Sequence, residues 1–165
     1  MGERGANSNL IREKKITKLT NGVYYQNYIN VGKYTFFEDG NAIVKKYTNA
    51  EFKVAKWYQT IFKEQVILLP KVNKPENISS PDYLIKGEKW DLKSLTSNKN
   101  NAIYTRMRNN ESQANNYIID IGKSKLTIKA TIKQVKELHS SKYFKWLNKI
   151  VIKKNKNYIV ISRQK

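Results

Sequence analysis

Apolar positions in this chain fall into short runs divided by turn-forming residues. Val23 to Ile29, Lys33 to Phe37 and Ala42 to Tyr47 form the first group, with Glu38-Asp39-Gly40-Asn41 as a strong turn signal. Together they predict a β-meander. Val66 to Leu69 is an apolar run of core-strand length that ends at Pro70. Tyr83 to Ile85 and Lys89 to Ser94 flank Lys86-Gly87-Glu88 and predict a tight hairpin. Tyr117 to Ile121 predicts a strand, and 149–153 with 158–162 predict a terminal hairpin around Lys154-Asn155-Lys156-Asn157. Helical spacing takes over in three places. Phe52, Ala55, Tyr58, Gln59 and Phe62 follow Asn49, a capping candidate, while Trp57 and Ile61 widen the apolar face. A polar helix is predicted from Ile103 to Asn116, and another from Thr131 to Lys142 with Ile132, Val135 and Leu138 facing inward. Residues 71–80 and 95–101 read as polar loops. Residues 1–20 are polar and basic and are expected to be poorly ordered, with at most a short helix near Ile11. The order predicts an α+β fold with a mainly antiparallel sheet and packed helices. A small N-terminal segment with the meander (1–48) precedes a core domain (49–165).

Charge changes this picture. Lys and Arg total 32 against 13 acidic residues, a formal net charge of +19. The excess runs from Arg4 to Lys165, so it describes a basic folded surface that is drawn to polyanions, not a detachable arm. A hydrophobic content of 39% excludes a disordered chain. There is no Cys, which excludes disulfides and thiolate metal sites. Met1 to Asn9 lacks the apolar core of a secretory signal, and no run is long enough to cross a membrane. A cytoplasmic place of action and no membrane partner are therefore expected.

The predicted hairpin carries the most pointed chemistry. Strand alternation sends Trp90 and Leu92 to one face and leaves Asp91 and Lys93 on the other. The tight turn brings Asp82 close to Asp91. Asp82, Asp91, Lys93 and Ser94 thus form one polar cluster, unusual on so basic a protein. On the following helix, Arg106, Asn109 or Asn110, and Gln113 lie three or four residues apart. An Arg fork there suits a phosphate or a phosphorane-like transition state. Lys86, Lys89, Tyr104 and Arg108 are the expected nucleic-acid contacts. Asp120 reads as a turn cap. His139, the only histidine, reads as a helix C-terminal residue favoured by the dipole.

The stretch from Pro81 to Ile121 resembles the C-terminal nuclease domain of contact-dependent growth-inhibition toxins of the CdiA type. The residues that carry the likeness are Pro81-Asp82-Tyr83-Leu84-Ile85, Gly87, Trp90-Asp91-Leu92-Lys93-Ser94, Arg106, Gln113-Ala114 and Tyr117-Ile118-Ile119-Asp120-Ile121. The likeness extends over roughly residues 50–165. It implies a fold of the barnase–EndoU–colicin–RelE-like ribonuclease group. It implies RNA cleavage, typically of tRNA, without an obligatory metal, and a cognate immunity protein. Asp91, Lys93, Arg106 and Gln113 would be the matching functional residues, with Ser94 or Gln113 positioning. Asp91 stands where that pattern more often has Glu.

The same residues also fit Pro-Asp…(Asp/Glu)-x-Lys. In that deoxyribonuclease pattern Asp82 and Asp91 would hold Mg²⁺, Lys93 would activate water, and Glu51 or Glu64 could add a carboxylate. A third possibility is a nucleic-acid-binding protein without catalysis, its Tyr-rich strands stacking bases.

Overall fold

The computed structural model describes residues 12–40 and 43–164. The short helix expected near Ile11, and Asn41 and Ala42 of the meander, lie outside those residues. The described chain forms β1 (Ile16–Thr20), β2 (Val23–Gln26), β3 (Tyr28–Val31), β4 (Tyr34–Phe37), β5 (Val44–Lys45), α1 (Asn49–Phe62), β6 (Val66–Leu68) and β7 (Lys71–Val72). It continues with β8 (Tyr83–Ile85), β9 (Glu88–Ser94), α2 (Ala102–Met107), β10 (Asn116–Asp120), α3 (Ile128–Ser140), β11 (Lys149–Lys154) and β12 (Asn157–Ser162). This is the expected α+β architecture.

One large sheet runs β1-β2-β6-β8-β9-β10-β11-β12. The β1–β2, β6–β8, β8–β9 and β11–β12 pairs are antiparallel, so the sheet is mostly so. The β2–β6, β9–β10 and β10–β11 pairs are parallel. Their direction follows from the connections: a helix-bearing crossover (α1, α2 or α3) separates each pair, and such crossovers return the chain in the same sense. β3 and β4 form a separate hairpin, and β5 pairs with β7. The first run of the meander thus divides between β2 and β3, the third leaves both to pair with β7, and Ile16–Thr20 and Lys71–Val72 are strands where disorder and a loop were expected. The boundary expected near residue 48 falls at the start of α1, and the sheet passes across it through β2–β6.

Helices cover both faces of the sheet. Val54, Ala55 and Tyr58 of α1 pack with Val23, Val66, Tyr83, Trp90 and Ile118. On the other face Val135 and Leu138 of α3 and Ile103 and Met107 of α2 pack with Tyr117, Ile119, Ile150 and Ile152. A third cluster, built on Ile29, Leu69 and Val72, sits under the β3–β4 hairpin.

Helix boundaries follow local chemistry. Thr48, not Asn49, caps α1: its hydroxyl accepts from the Glu51 amide at 3.2 Å while the Glu51 carboxylate accepts from the Thr48 amide at 3.0 Å. α3 begins three residues before Thr131, because Thr127 Oγ1 accepts from the Ala130 amide at 3.0 Å. The long polar helix expected over 103–116 stops at Met107. The Asn110 side-chain amide donates to the carbonyls of Arg106 (2.7 Å) and Arg108 (3.2 Å), taking acceptors that a continuing helix needs. Asn109 then turns the chain with φ 67°, a conformation Asn tolerates.

Candidate functional site

The β8–β9 hairpin turns on Lys86 and Gly87, both with positive φ (52° and 75°). That pair matches the right-handed twist of the flanking strands. It fixes the pairing Tyr83 with Trp90 and extends it to Asp82, whose amide donates to the Trp90 carbonyl at 3.0 Å. Trp90 enters the core under α1, so alternation puts Asp91 and Lys93 on the opposite face. Both are nonetheless buried, with 1% and 8% of their surface exposed.

A continuous polar network joins residues from five parts of the chain. Asp82 Oδ2 accepts from the Leu92 amide at 2.8 Å, and Asp82 Oδ1 lies 3.1 Å from Lys71 Nζ. Lys71 also pairs with Glu51 at the start of α1. Asp91 Oδ1 accepts from Gln113 Nε2 at 2.8 Å, and Lys93 Nζ donates to Gln113 Oε1 at 2.9 Å. The Gln113 amide reaches the Ser80 carbonyl at 3.3 Å as well. Lys93 Nζ stands 2.7 Å from Asp91 Oδ2. That buried oxygen has no partner in good hydrogen-bond geometry.

Burial, and after it the charge of Asp91, pushes the Asp82 carboxyl up to about 6, although Lys71 and the Leu92 amide pull the other way. Burial alone would lower the Lys71 ammonium, but Asp82 and Glu51 outweigh it and raise it. Two neighbouring carboxylates that resist joint ionisation, held between two ammonium groups, make a site that gains from further positive charge or from a phosphate placed over its cations. The network opens on a cleft of about 470 Å³ bounded by Lys71, Asn77, Ser79, Ser80, Asn109 and Gln113.

The other expected residues sit elsewhere. Ser94 is exposed and on the Trp90 side of β9; with Arg106, Lys99 and Thr105 it lines a different cleft of about 380 Å³. Arg106 therefore does not share a face with Gln113, because α2 ends between them. Tyr104 is half exposed and packs edge-on against Phe144. Arg108 and Lys89 are exposed. Lys86 pairs with Glu64 at 2.7 Å, and Glu64 also accepts from the Tyr58 hydroxyl at 3.0 Å, so Glu64 stays with its own partners. Asp120 caps its turn, accepting from the Gly122 amide at 2.8 Å. His139 ends α3, beside Arg163, which donates to its carbonyl at 2.8 Å.

Lys71 was not among the residues singled out from sequence. Its one signal is position, just after the Pro70 that closes an apolar strand. Among the described residues, no group of three or more His, Asp or Glu side chains is arranged to hold a metal ion. Asp82 and Asp91 are the two carboxylates that stand together, and a magnesium ion can be held by two carboxylates with substrate phosphate and water. The donor type fits that ion, with one oxygen of each carboxylate now held by an ammonium group, Lys71 on Asp82 and Lys93 on Asp91. No helix among the described residues is long and apolar enough to cross a membrane.

Residues 79–159 match the family model described as the contact-dependent growth inhibition CdiA C-terminal domain. No curated protein matches the chain. The fold is similar to a chain of the CdiA-CT/CdiI toxin and immunity complex from Burkholderia pseudomallei, with a TM-score of 0.53 and 23% identity, over 68% of this chain and 82% of that one.

Proposed function

We propose that this chain, whose residues 79–159 match the contact-dependent growth inhibition CdiA C-terminal domain, is a nuclease toxin that cleaves RNA, with tRNA as its expected substrate. The observation that supports it is the buried Asp82–Asp91–Lys93–Gln113 constellation, which meets a cleft at Gln113 and at Lys71, in a chain of net charge +19. Lys93 and Lys71 offset charge that develops on a phosphate during cleavage. Asp91, held by Gln113, accepts or directs the proton of the attacking hydroxyl. Gln113 is a positioning residue, since its amide holds the acid and the ammonium at once. Arg106, Lys99 and Ser94 bind a flanking phosphate in their own cleft. The chain of similar fold belongs to a toxin and immunity complex, and a cognate immunity protein that covers this cleft is the proposed partner here.

A second reading keeps the same residues and adds magnesium. The observation that favours it is the contact between the Asp82 and Asp91 carboxylates, where an ion would take the place that the Lys71 and Lys93 ammonium groups now hold. Bound there, the ion would supply an activated water and offset phosphate charge. Lys93 and Gln113 would still orient what attacks.

Incubating tRNA, total RNA and plasmid DNA with the wild type and Lys93→Ala, with and without EDTA, tests both readings. Cleavage of RNA by the wild type alone is expected. Persistence in EDTA supports the metal-free form, and loss in EDTA supports the magnesium form. Cleavage of DNA without RNA overturns the substrate. Salt-sensitive binding with no cleavage under any condition overturns the nuclease reading.

A further inference from the structure

Beside the carboxylates lies a cavity of about 460 Å³ to which the proposed cleavage gives no role. Ile29 and Val31 of the β3–β4 hairpin form one wall, and Leu69, Leu84 and Ile78 form the other. Asn77, Ile78, Ser79 and Ser112 border both this cavity and the cleft at Lys71 and Gln113, so the two spaces adjoin.

Register places them one step apart. Leu84 pairs with Lys89, and both border the cavity. Leu84 is two residues from Asp82, and Lys89 is two residues from Asp91. Positions two apart share a face and stand about 7 Å apart along a strand. A nucleotide whose phosphate lies in the cleft at Lys71 and Gln113, which shield the buried Asp91 and Lys93, can place a neighbouring base at Leu84.

We propose that this cavity is a nucleobase subsite, which takes one unstacked base of the substrate strand while the adjoining phosphate lies in the cleft at Lys71 and Gln113. The proposal rests on the nuclease reading and sharpens its substrate class. Apolar walls suit the two faces of a base, and a few polar groups suit its edge. Gln26, Asn30 and Asn77 bring amides to the cavity, and Lys89 brings a cation to it. A base inside a duplex cannot enter such a space without leaving its stack. The site therefore selects unpaired nucleotides: loops, bulges and single strands.

Titration of the cleavage-deficient Lys93→Ala chain with a short unstructured RNA tests this directly. The RNA is used intact and as a set with one abasic position moved along it. Binding is expected to weaken about tenfold at one or two abasic positions and little at the others. Leu84→Trp, which fills the cavity, should weaken the intact RNA by a similar factor and abolish the dependence on abasic position. Val31→Trp fills the cavity from the hairpin side and serves if Leu84→Trp fails to fold, which its melting curve reports. Equal binding of intact RNA and every abasic RNA overturns the proposal. So does full position dependence retained in a folded, cavity-filled variant. Cleavage by the wild type is read in parallel: a base preference without cleavage defeats the nuclease reading alone, and cleavage without a base preference defeats the subsite alone.

Discussion

Lys71→Met is the most informative perturbation of the site's electrostatics. The Lys71 ammonium lies between Asp82 and Glu51, whose side chains are only 4% and 5% exposed. Its removal leaves two buried carboxylates without their shared cation. Breaking a fully buried pair in this way costs about 3–5 kcal/mol, and the Lys71 side chain, 36% exposed and partly screened by water, puts this one at the lower end. Asp82 supplies an escape, because its carboxyl already sits at about 6 and loses an attraction that holds it down. Protonation then neutralises one of the two charges, and its cost grows by about 1.4 kcal/mol for each pH unit above that carboxyl's value. The loss is therefore expected to be largest, about 3–4 kcal/mol, at pH 8 and to shrink by 1–2 kcal/mol at pH 5.5. In a domain of this size that is a melting-temperature drop of about 6–14 °C at pH 8. Circular dichroism melts of wild type and variant in EDTA at both pH values measure it. A drop under 2 °C at pH 8, or an equal drop at both pH values, would refute the reasoning.

Asp82 also gives the wild type a pH signature. Its folded value of about 6 lies above the ordinary 3.8, so the folded state binds the proton more tightly than the unfolded one. The stability this contributes is fully present below about pH 4 and is lost as pH rises through 6. Denaturant titrations should show wild type losing about 2–3 kcal/mol relative to Asp82→Asn over that window. Gln134, buried, accepts from the Ile103 amide at 3.0 Å and donates to the Lys99 carbonyl at 3.2 Å. Gln134→Leu leaves the Ile103 amide unsatisfied, while the Lys99 carbonyl keeps the Ala102 amide at 3.1 Å, and should cost about 1–2 kcal/mol by chemical denaturation, with faster hydrogen exchange confined to α2. Ile118, 1% exposed between β9 and β11, should lose about 3 kcal/mol on change to Ala. Lys86 and Glu64 form an ion pair in which the Lys86 side chain is 71% exposed, so Lys86→Ala should move the unfolding midpoint by less than about 0.5 kcal/mol.

The parts of the fold that local chemistry decides were legible in the sequence. Trp90-Asp91-Leu92-Lys93 alternates cleanly, and Lys86-Gly87 has turn chemistry, so the hairpin and the meeting of Asp82 with Asp91 follow from pattern alone. Gln113 was named by helical spacing from Arg106 and again by the family likeness; the structure places it through a turn, not a helix. The rest depends on tertiary contact. Nothing around Lys71 distinguishes it from the other lysines, because its partners lie 20 residues earlier and 11 residues later in the chain. Asn110 reads as one more polar helix residue until its side chain is seen on the Arg106 carbonyl. That bond separates Arg106 from Gln113. Parallel pairing of β9, β10 and β11 is set by the crossover helices, and strand composition alone does not reveal it.

The central claim is that Asp91, Lys93 and Gln113 form a phosphodiester-cleaving centre. Single-turnover cleavage of tRNA by wild type, Lys93→Met and Gln113→Leu, each shown to be folded by its melt, tests it most directly. Lys93→Met should lose at least about a hundredfold in rate, the scale of one lost transition-state contact, and Gln113→Leu should lose less while binding tRNA as tightly as the wild type. Wild-type rates in both folded variants would contradict the account.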